Sequence, residues 1–470
     1  MGQATVRIAL FHNQYARRGG EDVAVEVERD ALRAAGHEVS VCLVSSRALA
    51  DGPWTERARA GWAAPWSRAA YARVREHLRR TRAEVGHLHN DYPGFGPALV
   101  DAHRDEGVPL VRTLHNYRLV CARGTLWREG AACRRCPDGS RLQAIPRRCG
   151  GSLLRAVAWA RAAEAGWRTG RARAADAYVA PSRAVAELHV ALGLPRARVH
   201  VVPHGCPDPF PRGAPPPRAE GGALYVGRLA PEKGVDLLLR AWRGVAAPLR
   251  IAGTGPEERS LRRLAGPRVE LLGELSRDQV AARLADAALL VTPHRWIEPF
   301  GLVVIEAFAA GRPVVTAALG GPAETVEHGR TGWIVPPEDP AALRAAVGSL
   351  LADPARLARM GAAARAAFEE RHRAAHQAAA LTAVFEGVLA RTGHDERRGA
   401  PGRQHAQRAR GRSEPAARTT VRERQPRCAR GAERDAPSGR SELEPAPAGA
   451  SEPTGSDRHE VERPAPCEAS

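Results

Sequence analysis

Twice along this chain, short runs rich in β-branched residues alternate with longer alanine- and arginine-rich stretches, and a proline-rich segment separates the two series. Strands linked by helical crossovers form parallel sheets covered on both faces, so the pattern predicts two α/β domains. In the first series the expected strands are Val6 to Phe11, Glu38 to Val44, Val85 to His89, Pro109 to Leu114, Ala177 to Ala180 and Val199 to Val202. In the second they are Ala223 to Val226, Leu249 to Ala252, Val269 to Leu272, Ala288 to Thr292 and Pro313 to Thr316. The stretch Pro207 to Arg218, PDPFPRGAPPPR, can continue neither a helix nor a sheet ladder. The domain reading is therefore 1–206, a linker 207–220 and 221–391, with a cysteine-bearing insertion at 117–150. Open parallel sheets bind ligands outside the carboxyl ends of their strands, which places a cleft between the domains.

Residues 392–470 have few aliphatics and many Pro, Gly, Ser, Arg and Glu, a composition expected to stay disordered. A net charge of +18 raises nucleic acid or anionic membrane as partners. Only one of the 70 basic residues is lysine, Lys233, so the arginine excess reads as a coding bias. With 5% aromatic residues and no nucleic-acid motif, nucleic acid is not expected as a partner. No apolar run is long enough to span a bilayer, and Met1 to Phe11 lacks a signal-peptide pattern. The expected location is cytoplasmic.

The chemistry concentrates in VTPHRWIEPFGLVVIEAFAAG, Val291 to Gly311, read as a strand end, a loop and a helix from Leu302 to Ala310. Free N–H groups of Phe300, Gly301 and Leu302 at that helix start suit a phosphate. Glu298 and Glu306 would be repelled by a diphosphate and are better used accepting hydrogen bonds from sugar hydroxyls; a helix cap and a solvated helix residue are the structural alternatives. In VGRLAPEKG, Arg228 and Lys233 lie five residues apart on a loop broken by proline, where both can reach one anionic ligand. Three His-Asn pairs, His12-Asn13, His89-Asn90 and His115-Asn116, close three expected strands and should face the cleft. Cys121, Cys133, Cys136 and Cys149 form C-x11-C-x2-C-x12-C. Four thiolates could hold a structural zinc, with free thiols or a disulfide left open.

The pair Glu298-x7-Glu306 within EPFGLVVIEAFAAGRPVV resembles the glutamate pair of retaining glycosyltransferases of family 4, which have the GT-B fold. The resemblance extends to Gly19-Gly20-Glu21, TLHNYR, APSRAV, VVPHG, VGRLAPEKG, IAGTGP and GGPAETVEHGRTGWIVPPED. It implies two Rossmann-like domains facing a central cleft and transfer of a sugar from a nucleotide-diphosphate sugar to a glycan or lipid-linked acceptor. It further implies Glu298 on donor hydroxyls, Glu306 on the ribose, Arg228 and Lys233 on the diphosphate, His115 against the donor sugar, and Gly19 and Gly20 under the phosphates. His89 and Asn116 join the expected substrate-binding set. No cofactor is required for catalysis in this reading, zinc being structural only.

Two rivals are a basic nucleic-acid-binding protein and a catalytically silent sugar-nucleotide-binding protein; the intact Glu298, Glu306 and Lys233 disfavour the second. The helix Trp66 to Arg82 carries six arginines beside Ala70, Tyr71, Val74 and Leu78. It is either a domain helix or a contact to an anionic membrane surface.

Overall fold

The computed structural model describes residues 5–15, 19–213 and 215–398. The expected tail therefore lies outside the described residues, apart from its first few, which continue the last helix.

The first series forms β1 (Arg7–Gln14), α1 (Gly20–Ala34), β2 (Glu38–Ser45), α2 (Ser46–Asp51), α3 (Trp54–Ala63), α4 (Arg68–Thr81), β3 (Val85–Asn90), α5 (Ala98–Glu106) and β4 (Leu110–Thr113). A small hairpin follows, β5 (Trp127–Arg128) and β6 (Ala131–Ala132), then α6 (Leu153–Arg168), β7 (Ala177–Ala180), α7 (Arg183–Ala191) and β8 (Val199–Val201). The second series runs β9 (Ala223–Val226), α8 (Val235–Ala241), β10 (Leu249–Ala252), α9 (Glu258–Leu264), β11 (Val269–Gly273), α10 (Arg277–Asp286) and β12 (Leu289–Thr292). It ends with α11 (Leu302–Ala309), β13 (Val314–Ala317), α12 (Gly320–Thr325), β14 (Gly332–Val335), α13 (Pro340–Leu351), α14 (Pro354–Arg371) and α15 (Ala374–Arg398).

Two six-stranded sheets result, in the orders β2-β1-β3-β4-β7-β8 and β11-β10-β9-β12-β13-β14, and the strand pairs within them are parallel. In each, the order reverses beside the first strand, between β1 and β3 and between β9 and β12. Such switch points open a crevice at the strands' carboxyl ends. All eleven expected strands form to within a few residues. β14 was not among them: it pairs with β13 through Gly332, where any Cβ would stand 2.0 Å from the Val314 carbonyl oxygen.

The helix α15 leaves the second domain and packs on the first, its Leu381, Phe385 and Val388 buried with Ile8, Leu10 and Val25. The helix α4 is a domain helix: Ala70, Val74, His77 and Leu78 are buried, and Arg75 and Arg79 pair with Glu106. Its apolar side is thus already occupied and is not free for a membrane.

Candidate functional site

The loops leaving β9 and β12 meet at the second sheet's switch point. A short turn, Pro231–Lys233, ends at Gly234 in the left-handed region, φ 68°. This delivers Lys233 Nζ to 2.6 Å from Glu298 Oε2. The indole N–H of Trp296 donates to the same oxygen at 2.8 Å, and Lys233 Nζ lies 5.2 Å from that ring's centroid. Burial pushes the Glu298 carboxyl up, but Lys233, with His294, outweighs it and leaves the group below its ordinary value. Arg228 pairs with the buried Glu232 on the same loop. Gly301 caps α11 at φ 79°, and a Cβ there would stand 3.0 Å from Pro322 Cγ. Phe300, Gly301 and Leu302 thus lead into the helix start as expected. Burial pushes the Glu306 carboxyl up while Arg277 acts the other way.

The first domain braces the Glu298 loop on both sides. Tyr117 Oη–H donates to the Ile297 carbonyl at 2.8 Å, and Ser182 Oγ–H to the Pro299 carbonyl at 2.7 Å. The free N–H groups of Arg183 and Ala184, opening α7, donate to the Glu324 carboxylate at 2.8 and 2.6 Å. These bonds fix Glu298 through its neighbours' backbone.

Gly19 caps α1, its N–H donating to Asp22 Oδ2 at 2.8 Å. A side chain on Gly20 would meet Leu302 Cδ1 at 3.8 Å, so the glycine loop lies against the start of α11. His115 stacks on His204 at 5.2 Å, and His204 meets the Phe300 ring edge-on at 5.2 Å. The structure therefore brings His115, the glycine loop, Phe300 and the α11 start to one junction. Asn116 serves that loop, its amide donating to Tyr15 Oη at 3.2 Å and Glu21 Oε2 at 2.8 Å.

His89 does not face the cleft. It is buried behind His115, Nδ1 lying 2.8 Å from His115 Nε2, while its Nε2 lies 3.2 Å from Glu28 Oε1. The reason is strand alternation: His87 and His89 share a face of β3, and α1 and α15 cover that face. Glu28 also approaches His87 Nδ1 at 2.9 Å and accepts from the Gln377 side-chain N–H at 2.9 Å. Burial pushes the Glu28 carboxyl up, but His89 and His87 outweigh it and hold the group well below its ordinary value. Burial drives His115 well below the usual histidine range and His89 to about 4, so both rings are neutral at pH 7. His12 is likewise buried, its Nε2 held 2.8 Å from Asp22 Oδ1.

Glu28, His87 and His89 present three ligand atoms within 4.8 Å of one another, the one such set among the described residues. The four cysteines of the insertion do not form one: their thiols are free, and no three gather that closely. Burial, and then Cys121, Cys149 and Cys133 nearby, push the Cys136 thiol up to about 11, so the four cysteines share one neighbourhood of the insertion. Apolar packing also braces the insertion, Cys136 with Ala122, Ala144 and Trp159. Trp159 and Trp167 of α6 add N–H donors to the Arg118 and Leu119 carbonyls, at 3.1 and 2.9 Å.

Glu28, His204, Tyr117 and Ser182 were not among the expected site residues. Tyr117, Ser182 and His204 lie inside the stretches TLHNYR, APSRAV and VVPHG that carry the resemblance, and for Glu28 the signal was an acid on the apolar stripe Val25, Glu28, Leu32 of a helix, which is buried unless the helix turns away.

Two Rossmann-like domains whose loops set a cation, a carboxylate and a helix start against a glycine loop define a GT-B sugar-transfer architecture. The comparisons agree. Residues 18–208 match the model for glycosyltransferase family 4 and residues 215–367 that for glycosyl transferases group 1. The chain belongs to this family of glycosyltransferases. It is 42% identical over 154 residues to glycogen synthase of Mycobacterium tuberculosis, a match spanning 30% of this chain and 36% of that enzyme. It is 29% identical over 321 residues to alpha-D-kanosaminyltransferase of Streptomyces kanamyceticus, spanning 63% of this chain and 75% of the relative. Among solved structures it resembles HepE of Anabaena in complex with UDP, at TM-score 0.57 and 17% identity, over 81% of this chain and 100% of that one.

Proposed function

We propose that the protein transfers a glycosyl group, with retention of anomeric configuration, from a nucleoside diphosphate sugar to a glycan or lipid-linked acceptor. The observation that carries this reading is the Lys233–Glu298 pair beside the α11 start, facing Gly19 and Gly20. In this reading the diphosphate lies on Lys233, Arg228 and the N–H groups of Phe300 to Leu302. Glu298 accepts from hydroxyls of the donor sugar, and Glu306 from the ribose. The bond from the anomeric carbon to the phosphate oxygen breaks, and the electron pair leaves with the diphosphate. The acceptor oxygen bonds to the same face of that carbon, and its proton passes to the departing phosphate oxygen. Fixed cations stabilise the leaving group most as its charge develops, so no divalent metal is given a role. The four cysteines remain a zinc proposal only if the insertion rearranges to gather them; a metal assay on the isolated full chain decides that separately.

The reading keeps the cytoplasmic location expected from the sequence. No helix among the described residues is long and apolar enough to cross a membrane. The test is thermal stabilisation by a panel of UDP-, GDP- and ADP-sugars, followed by product analysis with the best donor. A donor at a hundredfold excess over its Kd should add about 3 kcal/mol. No shift with any of them overturns the reading.

A further inference from the structure

A cavity of about 1050 Å³ opens between the insertion, α3 and α6 of the first domain and the Arg228–Glu232 turn of the second. None of the proposed donor contacts except Arg228 lines it. Its other side chains fall into two chemistries.

The first is cationic. Arg118, Arg123 and Arg155 line the cavity, and none of the three forms an ion pair among the described residues. The cavity's other arginine, Arg228, is paired with Glu232, and Arg295 of the second domain is paired with Asp236. Arg118 stacks its guanidinium 5.3 Å from the Tyr15 ring centroid, and its Nε is buried with no hydrogen-bond partner. The start of α6 adds to this charge: Gly150, Gly151 and the cap residue Ser152 line the same cavity, and a 16-residue helix presents its positive end there.

The second is apolar. Trp54 and Leu154 line the cavity while 72% and 50% exposed, and on the same two helices Trp62, under the Arg161 guanidinium, and Leu153 are 76% and 50% exposed. Gly61 lets α3 and α6 pack closely, a Cβ there standing 3.5 Å from Ala158 and 3.8 Å from Leu154. Two helices joined in this way hold two tryptophans and two leucines toward solvent beside a cluster of unpaired arginines.

We infer that this cavity holds the acceptor, and that the acceptor is a saccharide carried on a lipid phosphate or diphosphate. The phosphate group lies on Arg118, Arg123, Arg155 and the α6 start, and the lipid chain runs out over Trp54, Leu154 and their neighbours. The sugar reaches the Arg228 turn, next to Lys233. An extended chain of lipid, phosphate and sugar meets lip, arginines and transfer loop in that order. A membrane surface alone would not account for cations placed inside a concave site. The inference rests on the glycosyltransferase reading above and names the acceptor that reading leaves open.

The test uses the full chain saturated with whichever nucleoside diphosphate stabilises it, so that added phosphate does not enter the donor site. Farnesyl diphosphate, inorganic pyrophosphate and the uncharged amphiphile decyl maltoside are titrated calorimetrically, and the Trp54 region is followed by tryptophan fluorescence. Farnesyl diphosphate should bind at least about tenfold more tightly than either of the others, with a blue shift in emission. The double variant Arg123→Gln/Arg155→Gln and the double variant Trp54→Ser/Leu154→Ser should each lose about tenfold toward farnesyl diphosphate and leave nucleoside diphosphate affinity unchanged. All four of these side chains are exposed or line the cavity rim, so folding should survive both changes, and melting curves check this. Equal binding of farnesyl diphosphate and pyrophosphate overturns the inference. So does unchanged binding by both variants, or retention of either variant on anionic vesicles as the sole interaction. Failure of every nucleoside diphosphate to bind would instead count against the glycosyltransferase reading.

Discussion

Lys233 Nζ stands 2.6 Å from Glu298 Oε2, so the cation and the carboxylate assigned to the two ends of the donor hold each other, 65 residues apart in sequence. The pair keeps a partly buried carboxylate ionised and a lysine extended into the cleft. A donor diphosphate must share that lysine with Glu298, and a donor sugar must share the carboxylate with Lys233.

Replacing Lys233 by Ala should therefore lower turnover by about 10²- to 10³-fold, the usual loss when one preorganised electrostatic contact to developing charge is removed. The folding cost should be small by comparison, because both side chains keep some solvent contact, 22% for the lysine and 14% for the glutamate. Steady-state kinetics beside urea unfolding checks both halves. Wild-type turnover would remove Lys233 from the mechanism.

Glu28 acts at one remove. Its carboxylate faces His89 Nε2, which favours the proton on that nitrogen, leaves His89 Nδ1 to accept, and sets His115 Nε2 as donor. Glu28→Gln should reduce turnover more than donor affinity. It should also cost about 3 kcal/mol of stability, since buried groups lose their charged partner. Chelation should leave activity unchanged if Glu28, His87 and His89 are a hydrogen-bonding set; one equivalent of transition metal in the purified chain would contradict that.

Acid should destabilise the fold early. His103 and His189 are buried, and burial lowers both to about 4 although Nδ1 of each ring contacts a backbone carbonyl, of Leu99 and Val185. The unfolded chain takes up protons near the ordinary value of 6.5 and the folded chain does not until about 4. Each histidine thus removes stability as pH falls through that window, at up to about 1.4 kcal/mol per pH unit. Urea midpoints measured from pH 7 to 4.5 should fall steadily below 6.5, and a flat profile would refute the assignment of these two rings as neutral.

The fold was readable because its signal is local. Strand runs such as Ala177 to Ala180 and Ala223 to Val226 coincide with those observed, and the loops at their carboxyl ends carry the chemistry a switch point requires. What was not readable depends on partners far along the chain. His89 looked like a cleft residue because it ends a strand; which face it takes is decided by Glu28 and by Phe385, which arrives nearly three hundred residues later on α15. The six arginines of Trp66 to Arg82 left a membrane contact open, yet two of them pair with Glu106 on α5. The insertion seemed from its sequence to lack a core, and α6, which follows it, supplies one through Trp159 and Trp167.

The two site glutamates should separate by sign. Glu306→Gln should weaken a nucleoside diphosphate and its sugar conjugate alike, because the ribose is common to both. Glu298→Gln removes a contact to the sugar and at the same time releases Lys233 from its ion pair. The sugar conjugate should then bind less tightly while the free nucleoside diphosphate binds as well as before or better, the lysine no longer being shared. Each lost hydrogen bond to a charged group is worth about 1.5–3 kcal/mol, or roughly ten- to a hundredfold in affinity. Calorimetric titration of both ligands against both variants measures this directly. If Glu298→Gln weakens the free nucleoside diphosphate as much as the sugar conjugate, the carboxylate serves to position Lys233 and not to bind the sugar.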